Sequence, residues 1–129
     1  MKKNIIQMKG NDLSERVVEF ILTRTNEELG ELTVEKITGL LNVSRSHLYQ
    51  RFKMEKKLTP GKYLLMMKIL RSASLLAGNT RSPIEKIANK MGFSSADYFK
   101  KVFRAYFGTT PGRYRKYMKF KFNRWQILH

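Results

Sequence analysis

Residues 35–63 read EKITGLLNVSRSHLYQRFKMEKKLTPGKY, and residues 85–114 read EKIANKMGFSSADYFKKVFRAYFGTTPGRY. The opening Glu-Lys-Ile recurs after fifty positions, and the closing Thr-Pro-Gly recurs after fifty-one, because the second stretch carries one inserted residue. The apolar positions align as well, since Phe52 corresponds to Phe103. Self-similarity of this kind indicates two copies of one supersecondary unit.

The second copy carries the start and stop signals of two helices joined by a tight turn. Ser82 is predicted to cap the first helix with Glu85 completing a capping box, and Gly92 is predicted to end it in a left-handed conformation. Ser94 or Ser95 then caps the second helix. The side chains predicted to point inward from that helix are Phe99, Val102, Phe103 and Tyr106. Two short helices joined by such a turn form a helix-turn-helix.

The first copy and the stretch between the copies are also predicted to be helical. Thr33 opens the first helix, Asn42 takes the turn position, and Ser44 caps the second helix. Asn tolerates the left-handed conformation, although at a free-energy cost relative to Gly. Residues 60–77 then form one long helix with a Met-rich apolar stripe, which predicts core packing. The members of this stripe are Tyr63, Met66, Met67, Leu70, Ala73 and Leu76.

These patterns predict an all-α fold of about seven helices, with two helix-turn-helix lobes joined by a long linker helix. A helix from about Leu13 to Thr25 is expected to close the first lobe. The predicted divisions are residues 1–11 as an N-terminal extension, 12–58 as the first lobe, 59–78 as the linker helix, 79–117 as the second lobe and 118–129 as a basic aromatic tail. No ligand-sensing or dimerisation domain is expected beside the repeat.

Composition restricts the class of protein. The 129 residues include 26 Lys and Arg against 10 Asp and Glu, which gives a net charge of +16, and they include no Cys. Without cysteine, neither a disulfide framework nor a Cys-based zinc site forms. The longest apolar run, Tyr63–Met67, is far shorter than the ~20 residues of a membrane span, and no signal-peptide core follows Met1. A soluble, cytoplasmic protein is the expectation.

The positive charge is not uniform along the chain. Residues 1–35 carry five basic and seven acidic side chains, a net charge of −2, whereas residues 36–85 carry ten and two, a net charge of +8. Residues 86–129 carry eleven basic side chains and one acid, a net charge of +10. The excess therefore begins with the first motif, and it predicts a polyanionic partner, either nucleic acid or an anionic membrane surface.

An enzyme is not expected. The sequence has no Gly-rich phosphate loop and no motif with paired carboxylates, and its histidines are His47 and the terminal His129. His47 stands in no ligand pattern, so a partly exposed helix residue is expected there rather than a metal site. Neither a catalytic residue, a metal nor a cofactor is therefore predicted.

From Ile87 to Arg115 the second copy carries the pattern I-A-x3-G-F-x5-F-x3-F-x3-F-G-x2-P-x2-Y-R, which resembles the C-terminal signature of AraC/XylS-type transcriptional regulators. The resemblance covers residues 13–117, with small departures: Thr38 stands where alanine is usual, and Asn42 where glycine is usual. It implies a bacterial, bipartite DNA-binding domain whose two recognition helices are held parallel by the linker helix and enter successive major-groove faces. It also implies a transcriptional regulator, in most cases an activator, with RNA polymerase as a partner.

The solvent-facing side of the second helix in each motif is expected to read bases. The residues at those positions, which also match the family's motif, are Arg45, Ser46, Tyr49, Gln50, Asp97, Lys100 and Lys101. Gln50 suits an adenine edge, and the three basic residues suit a guanine edge. Tyr49 packs on a thymine methyl or bonds a phosphate. Asp97 either stabilises the helix dipole or accepts a hydrogen bond from cytosine.

Phosphate contacts are expected at helix starts, where free N–H groups face an anion, and at nearby cations. The residues assigned to these contacts are Ser44, Lys53, Lys62, Ser94, Ser95, Arg104, Thr110 and Arg113. Such contacts supply affinity without sequence preference.

Two questions stay open at this point. The tail from Lys119 to Trp125 interleaves aromatic and basic residues, and it is interpreted either as an extension of the last helix or as part of a basic RNA-binding or membrane-surface module. The chain is either a stand-alone regulator, expected to be monomeric and not bound to a membrane, or a fragment of a longer one.

Overall fold

The computed structural model describes residues 12–78 and 81–128, and within these residues the protein contains helices and no strand. The helices are α1 Leu13–Leu22, α2 Asn26–Glu31, α3 Val34–Leu41, α4 Arg45–Lys56, α5 Pro60–Ala77, α6 Ile84–Lys90, α7 Ala96–Phe107 and α8 Pro111–Leu128. The predicted all-α class with two helix-turn-helix units is confirmed, with eight helices in the described residues in place of about seven. The predicted N-terminal extension, residues 1–11, lies outside the described residues.

The additional helix is α2, in a stretch to which the sequence patterns assign no element. Thr25 Oγ1 accepts a hydrogen bond from the Glu28 backbone N–H at 3.1 Å, and the Glu28 carboxylate accepts one from the Thr25 N–H at 2.9 Å. This capping box satisfies two N–H groups that the start of a helix otherwise leaves unpaired. The preceding helix, α1, ends at Leu22 rather than at Thr25, which leaves room for the box.

The chain divides into two compact units, and the boundary between Met67 and Lys68 lies inside α5. In the first unit, α1 and α3 pack against α4. The side chains of this core that have no exposed surface are Val17, Ile21, Leu29, Ile37, Leu48 and Phe52. Glu15 on α1 pairs with Lys56 on α4, and this hydrogen bond raises the pKa of Lys56 above its usual value.

In the second unit, α6 and α8 pack against α7 around a cluster of aromatic rings. The ring centroid of Phe103 lies 5.8 Å from that of Phe99, 4.6 Å from that of Phe107 and 5.3 Å from that of Tyr114. Phe99 and Phe103 have no exposed surface. Aromatic pairs at these separations add to the free energy gained from burial alone.

The turns of the two copies have the same geometry. Asn42 (φ 55°) and Gly92 (φ 85°) both occupy the left-handed region, as the sequence predicts. In each turn the following residue donates its backbone N–H to the carbonyl five positions earlier, at 3.1 Å in the first copy and 3.0 Å in the second. Glycine avoids Cβ strain at this position, whereas Asn42 adopts the same conformation at a modest cost.

The predicted capping box of α6 is wrong. The N-cap position is Pro83, in an extended conformation, and no side chain caps the helix, so Ser82 and Glu85 do not form the box. Because the backbone of Pro83 is extended (ψ 150°), the helix begins at Ile84, one residue later than predicted. The carbonyl of Ser82 instead accepts a hydrogen bond from Arg115 on α8 at 2.5 Å.

The inward orientation predicted for Tyr106 is also wrong. Its side chain is 45% exposed, because Phe107 is the residue turned toward Tyr114 at this end of α7, with ring centroids 5.2 Å apart. On α5, Leu70 is 42% exposed, whereas Ala73 and Leu76 are buried as predicted.

The last helix, α8, includes nearly all of the predicted tail. It runs without a break from Pro111 to Leu128, across residue 118, where the predicted tail begins. Four of its aromatic side chains are more than half exposed: Tyr117, Phe120, Phe122 and Trp125.

Candidate nucleic-acid interface

The second helix of each motif begins in the same way. Ser44 Oγ accepts a hydrogen bond from the His47 backbone N–H at 3.1 Å, and Ser95 Oγ accepts one from the Tyr98 N–H at 3.0 Å. Of the two caps that the sequence allows for α7, Ser95 is therefore the one used, and Ser94 precedes it. Both caps are exposed to solvent, so the positive end of each helix dipole is open to an anion.

Buried side chains fix which side of α4 and α7 faces solvent. Leu48 and Phe52 anchor α4, and Phe99 and Phe103 anchor α7. Opposite these anchors, six of the seven predicted base-reading residues are exposed, namely Arg45, Ser46, Gln50, Asp97, Lys100 and Lys101. Tyr49 differs from them because it is half-buried.

The exposed side of α7 carries three cations, Lys100, Lys101 and Arg104, and one acid, Asp97. In the described part of the chain, the side chains of Lys100 and Lys101 form no ion pair, so both ammonium groups face solvent. Asp97 lies in the first turn of α7, where a carboxylate interacts favourably with the helix dipole. This position is compatible with both predicted roles of Asp97, which are to stabilise the helix dipole and to accept a hydrogen bond from cytosine.

Arg45 is held by an anion and an aromatic ring. Its Nη1 lies 2.6 Å from Oε2 of Glu35, its Nη2 donates to Tyr49 Oη at 3.2 Å, and its guanidinium carbon lies 4.8 Å from the centre of the Tyr49 ring. Tyr49 in turn lies against α5, because a Cβ on Gly61 would be 3.4 Å from Tyr49 Oη. Sequence reasoning did not place Glu35 or Gly61 at the site, and no signal in the chain pairs them with α4.

The predicted phosphate-binding residues lie at helix starts or on the exposed sides of helices. Thr110 Oγ1 accepts the Arg113 N–H at the start of α8, and Thr59 Oγ1 accepts the Lys62 N–H at the start of α5, both at 3.2 Å. The predicted set omits Thr59, although the offset of fifty-one pairs it with Thr110. The exposed members are Ser44, Lys53, Lys62, Ser94, Ser95, Arg104 and Arg113, and Thr110 is half-buried.

The described residues do not group in a way that suits a metal. Across residues 12–78 and 81–128, no three His, Cys, Asp or Glu side chains are placed to hold an ion. No helix in the same ranges has the length and apolar character to cross a membrane. What the exposed side chains of α4 and α7 offer is hydrogen bonding and charge pairing with an anionic partner.

Comparison with known proteins gives matches over most of the repeat. Residues 37–117 match the family described as a helix-turn-helix domain. The Msm operon regulatory protein of Streptococcus mutans is 40% identical over 85 residues, which are 66% of this chain and 30% of that protein. The lactose operon transcription activator of Staphylococcus xylosus is 30% identical over 105 residues, 81% of this chain and 36% of that protein. The chain thus spans about a third of the length of these relatives.

A solved structure also supports the match to a helix-turn-helix domain. A transcriptional regulator from Chromobacterium violaceum, described as having an AraC-type DNA-binding domain, is similar with a TM-score of 0.68 and 29% identity. The similarity covers 79% of this chain and 88% of that one.

Proposed function

The chain belongs to the AraC-type helix-turn-helix family of transcriptional regulators, and we propose that it binds double-stranded DNA sequence-specifically through α4 and α7. Members of this family are DNA-binding regulators, a non-enzymatic kind of protein, and the proposal adds which helices read the DNA. It depends on one observation above all. Each of the two helices follows a left-handed turn, starts at an exposed serine cap and turns polar or basic side chains to solvent.

In this proposal the two helices enter successive major-groove faces of one site. Gln50 reads an adenine edge through two hydrogen bonds, and Lys100 and Lys101 read guanine edges. Arg45 also reads guanine, after exchanging the Glu35 carboxylate for the base. Because Tyr49 is half-buried and bonded to Arg45, its part in recognition is to orient Arg45 or to contact a thymine methyl.

Affinity without sequence preference comes from the phosphates. Lys53, Lys62, Arg104 and Arg113 supply the charge, and the hydroxyl and N–H groups at the helix starts supply hydrogen bonds. The charge is concentrated after residue 35, which places the cations on the segments that carry the motifs.

The proposed regulatory outcome is activation in the bacterial cytoplasm, with RNA polymerase as the partner and with one copy of the chain bound to each site. The name of the Staphylococcus xylosus relative, a transcription activator, favours activation over repression. Transcription in vitro with purified RNA polymerase tests it, because an activator raises the amount of transcript from a template that carries the bound site and a repressor lowers it.

The experiment that tests DNA recognition is a selection of bound sequences from a random pool of about 30 base pairs, or about three helical turns. Two enriched elements with centres about 10 base pairs apart would match two helices in successive groove faces. Unstructured enrichment would contradict sequence reading. Competition with single-stranded RNA and with anionic liposomes tests the alternative raised by the exposed aromatic residues of α8, and preference for the duplex at physiological salt rejects that alternative.

Lys100→Ala should reduce the preference for the selected site while leaving binding to random duplex DNA nearly unchanged. Losing one good base contact is worth about 1–3 kcal/mol of discrimination, or about 5- to 150-fold. Fluorescence anisotropy with both duplexes measures the ratio. Lys53→Ala is the matched control, because a phosphate contact weakens binding to both duplexes alike. Equal losses on the two duplexes for Lys100→Ala would show that Lys100 does not read a base.

Glu35→Gln should tighten DNA binding by up to about fivefold, since a solvent-exposed ion pair is worth about 0.2–1 kcal/mol. The carboxylate competes with DNA for Arg45, which it bonds at 2.6 Å, and its charge repels phosphates. The same duplex titration measures the change.

Glu85→Gln is the matched control for this change. Glu85 stands at the equivalent place in the second copy, is exposed, and forms no ion pair within the described residues. The Glu85→Gln variant removes the same charge as Glu35→Gln. It therefore reports the effect of net charge alone and should tighten DNA binding less than Glu35→Gln. An equal gain from both variants would mean that the pair with Arg45 has no separate influence on DNA binding.

A further inference from the structure

The second unit contains a cavity of about 350 Å³ between the carboxyl end of α5 and one side of α8. It is lined by Leu76, Ala77 and Gly78 of α5, by Arg81, and by Arg115, Lys119 and Phe122 of α8. The three residues of α8 are spaced by four and then three positions, so they share one side of the helix. None of the lining residues belongs to the sets assigned to bases or phosphates.

The cavity is positively charged. Arg81, Arg115 and Lys119 line it, and among the described residues no acidic side chain does. The carbonyl groups at the end of α5 carry only partial negative charge, which three full positive charges exceed. Within the described residues, neither Arg81 nor Lys119 forms an ion pair, so neither charge is neutralised by the chain.

Arg115 provides a second, independent observation. Its Nη2 donates to the carbonyl of Ser82 at 2.5 Å, which fixes the guanidinium at the edge of the cavity. Its Nε–H is buried and has no hydrogen-bond partner among the described atoms. Leaving a buried charged donor unpaired is unfavourable, so the chain itself does not fully satisfy this guanidinium.

Part of the cavity wall is apolar. This part consists of Leu76, which is 1% exposed, Ala77, and Phe122, which lies on the same side of α8 as Arg115 and Lys119. A bare inorganic anion would leave this wall uncovered, whereas an uncharged apolar molecule would leave the three cations unpaired. The volume falls at the lower end of the range for small-molecule sites, about 300–1,000 Å³.

We propose that this cavity is a binding site for a small amphipathic carboxylate. The negative charge pairs with the cations Arg81, Arg115 and Lys119, and the apolar body packs on Leu76 and Phe122. The cavity shares no residue with the sets proposed to contact DNA, and binding of the carboxylate does not require that the DNA proposal be correct.

Isothermal titration calorimetry of the full chain with octanoate tests the proposal. We expect saturable binding of one octanoate, at least about tenfold tighter than that of acetate or n-octanol, because hydrogen bonding to a charged group and burial of the alkyl chain both contribute. n-Octanol binding as tightly as octanoate would overturn the assignment to an anion. Acetate binding as tightly would overturn the role of the apolar wall, and absence of saturable octanoate binding would overturn the proposal as a whole.

A pair of double variants locates the site. Arg81→Gln with Lys119→Gln removes two cations from the cavity, and we expect octanoate affinity to fall by about tenfold or more. Arg124→Gln with Lys121→Gln removes the same two residue types from positions on α8 that do not line the cavity, and it should leave octanoate affinity within about twofold. Equal losses of octanoate affinity in the two variants would mean that octanoate is attracted by the overall positive charge, and they would reject the cavity as its binding site. Arg115 is left intact because it holds Ser82, and circular dichroism establishes that both double variants remain helical.

Discussion

Phe103→Ala is expected to lower the free energy of unfolding of the second unit by about 3–5 kcal/mol. The ring of Phe103 has no exposed surface and lies 4.6 Å from the ring of Phe107 and 5.3 Å from that of Tyr114. Its removal loses the burial of an aromatic ring and leaves a cavity where α7 meets α8, which the rigid neighbours fill only in part. Because domains are stable by about 5–15 kcal/mol, a loss of this size removes a large part of the stability of the unit.

Urea denaturation followed by circular dichroism measures this effect, and amide hydrogen exchange assigns it to α6–α8 rather than to α1–α4. Phe120→Ala is the matched control, since Phe120 lies on α8 but is 61% exposed. A surface substitution of this kind should change stability by less than about 0.5 kcal/mol. If the two variants shifted the urea midpoint equally, Phe103 would not be the centre of this core.

The elements that the sequence predicts correctly are those set by local chemistry. The position of both turns follows from steric demands on single residues, because Gly92 and Asn42 are among the few residue types that tolerate a positive φ. The starts of α4 and α7 follow from serine hydroxyls that accept backbone N–H groups three residues on. Because the two copies align, a turn or helix start predicted in one copy supports the same prediction at the aligned position of the other.

The sequence predictions are wrong at two helix starts, those of α2 and α6. The capping box of Thr25 and Glu28 is present in the sequence, yet α2 has only six residues and therefore no apolar period to reveal it. At Ser82 the same signal is present, yet the backbone of Pro83 is extended and the helix starts beyond it. A capping pattern thus identifies a helix start only when the backbone of the next residue allows one.

For the candidate site, the sequence predicts which side of α4 and of α7 faces solvent. Once Leu48, Phe52, Phe99 and Phe103 are assigned to the core, the exposed residues of α4 and α7 follow from the helical period. The pairing of Glu35 with Arg45 does not follow, because the two residues lie ten positions apart on different helices. The same holds for Tyr49 and Gly61, which meet only because α4 and α5 approach one another.

Raising the salt concentration from 50 mM to 200 mM is expected to weaken duplex binding by about 150-fold. Four of the proposed phosphate contacts are cations: Lys53, Lys62, Arg104 and Arg113, all of them exposed. Each neutralised phosphate releases counterions, so that four cations predict a slope of about −3.6 for the logarithm of affinity against the logarithm of salt concentration. Anisotropy titrations at several salt concentrations give this slope directly.

Lys53→Ala should bring the slope from about −3.6 to about −2.7, because one cation fewer displaces counterions. Lys121→Ala removes an equal charge from α8, at an exposed position outside the proposed phosphate set, and should leave the slope unchanged. Since both variants lower the net charge from +16 by one unit, a difference between them separates direct phosphate contact from the overall field of the protein. A slope that falls equally in both, or one near zero in the unmodified chain, would mean that the cations beside α4 and α7 do not contact the backbone of DNA.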